Sequence, residues 1–469
     1  MKLPATILML LLSIIVSGQV LFNNTYFKPY WDMANAVIER QDGKYLIAGS
    51  SRSQAGTNYD VNILLVDSVG NLIWDKYLGV ADTSEFAYSL IETSDNNYLI
   101  SGRIGNYFPY MLKFDANGTF LWDNRYGSNG YCLGGFSIGE TADTNYYFVR
   151  PDYSFNSTMF FKTDSQGDTL WTKSYNSLLS LSVVHTSDSG FALIGKTNPT
   201  TLNQEIFLIK TNSVGDTLWT KTFGGNGNDD ATSIQQLPDN GYIIAGIFDV
   251  QIPDEEPDTY IIRTDSNGNT IWTKRHFHLG VPEYIKKCFN NNGYILSTTR
   301  LYSPGFSLPD EHYLIITKLD TLGNIQWSRL FDGEEYALGN NVTQTSDGGF
   351  LLTGHIQNFN NAEIILIKLD SIGNFVLSTT NILNPDKSQV SVYPNPTTDE
   401  INFVLHSIST RKINQVAIFN FIGQEIKSSI GLSETKFKEV VGNFPSGLYF
   451  YKLTTSDNQT LTGKFIVKQ

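Results

Sequence analysis

The chain has 469 residues, with 33 Lys and Arg against 46 Asp and Glu, a formal net charge of −13 at pH 7. Such a balance repels nucleic acid and anionic lipid, so neither is an expected partner. Gly, Tyr and Phe are abundant, Met is scarce, and the 2 cysteines make no disulfide framework, so Cys132 and Cys288 read as incidental in a β-rich, turn-rich chain.

Met1 and Lys2 precede an apolar run over residues 7–16, and the small residues Ser17 and Gly18 follow before Gln19. A charged start, an apolar stretch and a small-residue exit predict a secretory signal peptide over 1–19. The run is well short of the roughly twenty residues that span a bilayer. No cysteine lies nearby to carry a lipid, and no later run approaches spanning length. The mature protein is therefore expected to have no membrane span.

Residues 20–381 are repetitive. Trp74, Trp122, Trp171, Trp219, Trp272 and Trp327 each close a phrase such as Asp67-Ser-Val-Gly-Asn-Leu-Ile-Trp74 or Asp265-Ser-Asn-Gly-Asn-Thr-Ile-Trp272, and Leu377 takes that place a seventh time. A second phrase alternates with it, as in Asp239-Asn-Gly-Tyr-Ile-Ile-Ala-Gly246 and Asp347-Gly-Gly-Phe-Leu-Leu-Thr-Gly354. The Gly-containing turns and the apolar runs between them predict four short antiparallel strands per unit, at 231–237, 242–247, 260–264 and 270–274 in the clearest copy. Four strands in roughly fifty residues is a propeller blade, and seven copies predict a seven-bladed β-propeller with each Trp packed between blades. Leu21-Phe22 aligns with Leu218-Trp219, so the N-terminus carries a spare fourth strand suited to closing the ring. Residues 375–380 compete for the same place, and eight blades or a linear solenoid are the alternatives.

The unit resembles the Gly-Gly-Tyr-Ile-Ile-Ala-Gly and Asp-Ser-Asn-Gly-Asn-x-x-Trp repeats of exported Bacteroidota proteins, a family mostly without assigned activity. Its Asp-x-x-Gly-x-x-x-Trp phrase is also similar to the Asp box of sialidases, with one extra residue in the turn, and to the tryptophan motif of quinoprotein propellers. The vicinal cysteine pair of many quinoproteins is missing, and arginines are too scattered for a sialidase site.

Chemistry is sparse. Gly135-Phe-Ser-Ile-Gly139 matches a nucleophile elbow in letters, but the repeat register puts Ser137 in a first strand rather than a strand–turn–helix. Arg275-His-Phe-His278 could turn two imidazoles to one side, with no third ligand in view. What remains is acidic. The segments between blades carry Asp32, Asp82, Glu85, Asp229, Asp230, Glu334 and Glu335, which a closed ring would gather on one face around its axis. Carboxylates there could bind Ca²⁺ or hydrogen-bond a glycan, or serve only as a solvated rim. No other cofactor is expected. Alanine at Asp229 and Asp230 is expected to weaken binding without loss of folding. Asp-Ser/Thr-apolar triplets at residues 67, 168, 216, 320 and 370 resemble the O-glycosylation sequence of exported Bacteroidota proteins, although the hairpin turn demands the same residues.

After a polar, Pro-containing linker at 382–389, residues 390–469 alternate apolar and polar in short strands and predict a small Ig-like β-sandwich. Tyr393-Pro394-Asn395-Pro396, Ile418-Phe-Asn-Phe-Ile-Gly423-Gln424, Pro445-Ser-Gly447-Leu-Tyr449 and the closing Gly463-Lys-Phe-Ile-Val467 resemble the type A sorting domain of the type IX secretion system. The resemblance implies export, recognition by the type IX machinery at the outer membrane, and release from the cell or attachment to its surface. This segment holds 8 basic and 6 acidic residues, which with Lys2 set apart leaves 24 basic against 40 acidic in the repeats and linker together. A monomeric binding module for a glycan or surface protein is the expected function, with a polysaccharide-active hydrolase or lyase as the alternative.

Overall fold

The computed structural model describes residues 21–375 and 389–468, interrupted by segments between strands of which the longest are 128–136, 249–257 and 303–310. The chain separates into two compact units, 1–378 and 379–469.

The first unit is a seven-bladed β-propeller. Six antiparallel four-stranded sheets follow in chain order at 32–78, 85–125, 138–176, 178–223, 230–276 and 281–332, here called blades 1 to 6. In blade 5 the strands are Asp230–Gln236, Tyr242–Phe248, Asp258–Thr264 and Thr270–His276, within two residues of expectation. The first strands touch one another in cyclic order, blade 7 returning to blade 1, so they form the inner wall of a closed ring.

Blade 7 draws only three strands from the end of the repeats, Tyr336–Gln344, Phe350–Gln357 and Ala362–Leu369. Its fourth is the N-terminal strand Phe22–Tyr26, paired antiparallel with Ala362–Leu369 from Phe22↔Lys368 to Tyr26↔Ile364. Of the competing residues 375–380 only Phe375 is among the described residues. Phe375 packs instead on Phe331, ring centroids 4.6 Å apart, while Leu377 lies outside the described residues.

Two repeated devices hold the blades together. Each Trp lies beneath the hairpin glycine of the following blade. A Cβ built on Gly118, Gly167, Gly268 or Gly323 would come within 3.0 Å of the ring of Trp74, Trp122, Trp219 or Trp272, and these glycines have φ between 74° and 85°. The leading Asp of the phrase holds the turn, as where Asp265 accepts the N–H groups of Asn267 (2.9 Å) and Asn269 (2.8 Å). On the neighbouring hairpin, a Thr-x-Asp turn pairs with a buried cation of the third strand: Asp95 with Lys113 (2.6 Å), Asp188 with Lys210 (2.9 Å) and Asp347 with Lys368 (2.9 Å). The turn is then capped from the next blade, Ser94 by Glu140 and Ser346 by Glu39, the latter joining blade 7 to blade 1.

The second unit is a β-sandwich. A three-stranded sheet (Gln389–Tyr393, Glu400–His406, Lys436–Val440) faces a four-stranded one (Glu425–Glu434, Ile413–Asn420, Gly447–Thr455, Thr460–Val467) across a core that includes Ile401, Phe403, Ile418, Tyr451 and Phe465. Alternation in Gly447–Thr455 places Tyr449, Tyr451 and Leu453 inward, the pattern of a strand with one buried face.

Candidate functional face and sorting unit

Antiparallel pairing brings the starts of the first strands, the ends of the second and fourth, and the starts of the third to one end of the ring. There the chain crosses from blade to blade. Asp32 and Glu85 open the first strands of blades 1 and 2, and Asp229 and Asp230 stand at the start of blade 5. Asp82, Glu334 and Glu335 lie outside the described residues. Asp32, Glu85 and Asp229 occupy one repeat position, just ahead of a β-bulge.

All three are buried, at 1%, 0% and 0% exposure, which replaces the solvated rim read from sequence. The reason is local. Asp229 turns inward and its Oδ2 accepts the Gly225 N–H at 2.7 Å, fixing the Phe223-Gly-Gly225 turn. Asp32 accepts the hydroxyl of Ser51. A Cβ on Gly79 would meet the carboxylates of both Asp60 and Glu85, so these two acids crowd one glycine at the blade 1–2 boundary. Asp230 bonds the Ala231 N–H at 2.8 Å and pairs with Lys196 at 3.0 Å; burial still holds its carboxyl above the usual range. Burial raises Asp60 as well.

Sequence reasoning missed the aromatic–cation clusters at this end. Arg103 lies 4.1 Å from the ring of Phe86, which Tyr59 flanks at 4.9 Å. Arg275 lies 4.2 Å from Phe248 and 5.7 Å from Phe277, itself 66% exposed, while Asp258 accepts the Arg275 Nε–H at 3.0 Å. The Arg-His-Phe-His run was the available signal, but its arginine and phenylalanine carry the feature. His276 instead meets the Gly323 carbonyl at 2.9 Å, the place Tyr126 and Tyr175 take toward Gly167 and Gly215. His278 lies outside the described residues.

The bulged residues of the first strands form a belt about the axis. Asn35 donates to the Ala87 carbonyl (2.6 Å), Thr232 to Pro282 (2.8 Å) and Asn340 to Ala34 (2.7 Å), each reaching the next blade just before its own bulge. Blade 6 has Glu283 at this position, and burial pushes its carboxyl up to about 7. Lys286 on the same strand donates to Thr343 Oγ1 at 3.0 Å. Ser137 joins the wall too, donating to the Val183 carbonyl at 3.0 Å, as befits a first-strand residue rather than a nucleophile.

Among the described residues no three His, Cys, Asp or Glu side chains are grouped to hold a metal ion. Asp229 and Asp230 in particular are poor Ca²⁺ ligands, being committed to a backbone N–H and to Lys196. Cys288 is buried, its thiol pushed up to about 11, and Cys132 lies outside the described residues. Asp32 also borders a cavity of about 210 Å³ at the seam between blades 7 and 1.

In the second unit Tyr449 is buried against Phe444 and Phe465, and its hydroxyl donates to the Pro445 carbonyl at 2.8 Å, tying down the Pro-Ser-Gly447-Leu-Tyr motif. Gly447 starts the strand that carries it. Tyr393 ends the strand Gln389–Tyr393, while Pro394, Asn395, Pro396 and Gly423 lie outside the described residues. Thr397, next after that motif, bonds both ways with the chain's last strand, its N–H to Ile466 O at 2.9 Å and its carbonyl to Lys468 N at 2.8 Å. The two ends of the unit are thus fastened together, and the family comparison names it. Residues 391–468 are a secretion system C-terminal sorting domain. The chain is accordingly a type IX cargo, exported to the cell surface or released.

A 94-residue stretch is 31% identical to an ulvan lyase of Nonlabens ulvanivorans, covering 20% of this chain and 17% of that enzyme. Among solved structures, PorZ, a surface component of the type IX secretion system of Porphyromonas gingivalis, aligns at 12% identity and TM-score 0.44 over 92% of this chain and 59% of its own. Hydrazine synthase of Kuenenia stuttgartiensis aligns at 12% identity and TM-score 0.48 over 71% and 94%. Likenesses at this level carry no argument about activity. No helix among the described residues is long and apolar enough to cross a membrane.

Proposed function

We propose that the exported propeller is a non-catalytic binding module that engages a glycan or a surface protein through the end of the ring where the blades connect. The observation that supports this is the commitment of its acidic residues to the fold. Asp229 and Asp230 serve a turn and an ion pair rather than standing together as an acid and base over a pocket. What that end offers a partner is aromatic and cationic surface, Phe277 and Arg275 above all. The type IX partner belongs to the sorting domain and the ligand to the propeller.

The test is to probe glycan and protein arrays with the full chain and assay the same polysaccharides for reducing ends and unsaturated products. Saturable binding without product is the expected result. Silence on both arrays, or release of product, would overturn the reading. A polysaccharide-active enzyme is the second reading, favoured by one observation, the carboxyl of Glu283 held near neutrality. It requires product release that Glu283→Gln abolishes.

A further inference from the structure

The two sheets of the sorting domain present different outer faces. On the three-stranded sheet the outward positions include Lys438 and Glu400, both exposed and paired at 2.8 Å. On the four-stranded sheet the centre of the outward row is apolar. Leu448 pairs with Ile466, and Phe450, two residues on, pairs with Phe419. Leu448, Phe450 and Ile466 are 37%, 41% and 41% exposed. A sheet with one solvated face ordinarily turns polar residues outward at these alternate positions, so the row departs from the pattern.

The register joins segments that are distant in sequence. Phe419 lies in Ile418-Phe-Asn-Phe-Ile-Gly423, Leu448 in Pro445-Ser-Gly-Leu-Tyr449 and Ile466 in Gly463-Lys-Phe-Ile-Val467, three of the sorting motifs. In each motif the adjoining residue points into the core: Ile418, Tyr449 and Phe465 are 1%, 5% and 0% exposed. The inward members hold the sandwich. The outward members are not needed for that, yet they lie together on one face.

Charge sets the kind of partner. Lys452 continues the outward row of the strand that carries Leu448 and Phe450, and Lys464 and Lys468 flank Ile466, all three exposed. The strands Ile413–Asn420, Gly447–Thr455 and Thr460–Val467 contain no Asp or Glu.

We propose that this face is the surface by which the export machinery reads the sorting domain, and that its partner is a protein surface with an apolar centre and an acidic rim. Exposed apolar side chains with charge around them mark protein contact sites. Charges of one sign select a partner of the other and steer its approach. The same lysines oppose self-association through this face, because a second copy would set lysine against lysine. The proposal is independent of what the propeller binds, so its failure leaves the binding-module reading standing.

The experiment follows export of the full chain in cells that carry a type IX system, with thermal melts of each purified chain. One variant combines Phe450→Thr with Ile466→Thr, and a second combines Lys452→Glu with Lys464→Glu. Val440→Thr is the control, since Val440 is 54% exposed on the other sheet. Both double variants should fall by roughly tenfold or more at the cell surface and in the medium, and accumulate in the periplasm with wild-type melting curves. Val440→Thr should be exported as the wild type is. Wild-type export of either double variant overturns the proposal, and so does an equal loss in Val440→Thr. Should the threonine pair not fold, Leu448→Thr alone puts the same question. A wild-type chain that sediments as a dimer, and as a monomer once both threonines are in place, would give the face to a second copy and overturn the proposal.

Discussion

Phe22 stands to Gly70 as Trp74 stands to Gly118: a Cβ on either glycine would come within about 3.0 Å of the aromatic ring beneath it. The N-terminal strand therefore supplies blade 7 with its missing inter-blade clamp, and Tyr26 completes it by donating to the Gly70 carbonyl at 2.8 Å. Phe22→Ala should lower unfolding free energy by about 3–5 kcal/mol. Trp219→Ala in blade 4 should cost a similar amount, and urea titration of both variants checks the equivalence.

Glycine at the hairpin tips is required twice over. Gly268 has φ +76° and its Cβ would come 2.6 Å from Trp219. Gly268→Ala should therefore destabilise by more than the roughly 1 kcal/mol of an unfavourable backbone alone. Gly43, also at positive φ but with open space about it, is the control and should show the backbone cost only. Thermal melts of the two variants separate the terms.

Asp229 bears most directly on the acidic residues. Its carboxylate is buried and holds the Gly225 N–H, so Asp229→Ala should cost about 1.5–3 kcal/mol of stability. The expectation that this substitution would spare the fold and weaken only binding gives way to that. Unfolding curves measured alongside array binding distinguish the two outcomes.

Glu283 predicts a pH dependence of definite sign. Its carboxyl is pushed up to about 7 in the folded chain, against an unfolded value near 4.5. Between those values the unfolded state loses the proton first, so this group's contribution to stability falls as pH rises from about 4.5 to 7 and is level above. Glu283→Gln should be more stable than the wild type at pH 8 and lose that advantage near pH 4.5. Melting temperatures across the range test it.

Removal of residues 391–468 should leave the propeller folded and abolish export. The 1–378 unit has its own closed ring, and the sorting domain its own core. Fractionation of cells expressing the truncated chain should find it retained, with its melting transition unchanged.

Much of this was legible from local pattern. Strand and turn signals act over a few residues, so the four strands of blade 5, the role of its Trp and the motifs of the sorting domain could be read directly from spacing. The acidic residues could be placed at one end of the ring for the same reason. Their burial could not, because whether Asp229 faces water or Gly225 depends on how a strand enters between its neighbours.

By itself the sequence determined the repeat and the sorting label, since each is written in residues close together along the chain, while the choice of seven blades over eight was left to the closure of the ring. Only tertiary structure decided between Phe22–Tyr26 and residues 375–380 as the last strand, a competition settled by pairing with Ala362–Leu369 and by Gly70 receiving Phe22.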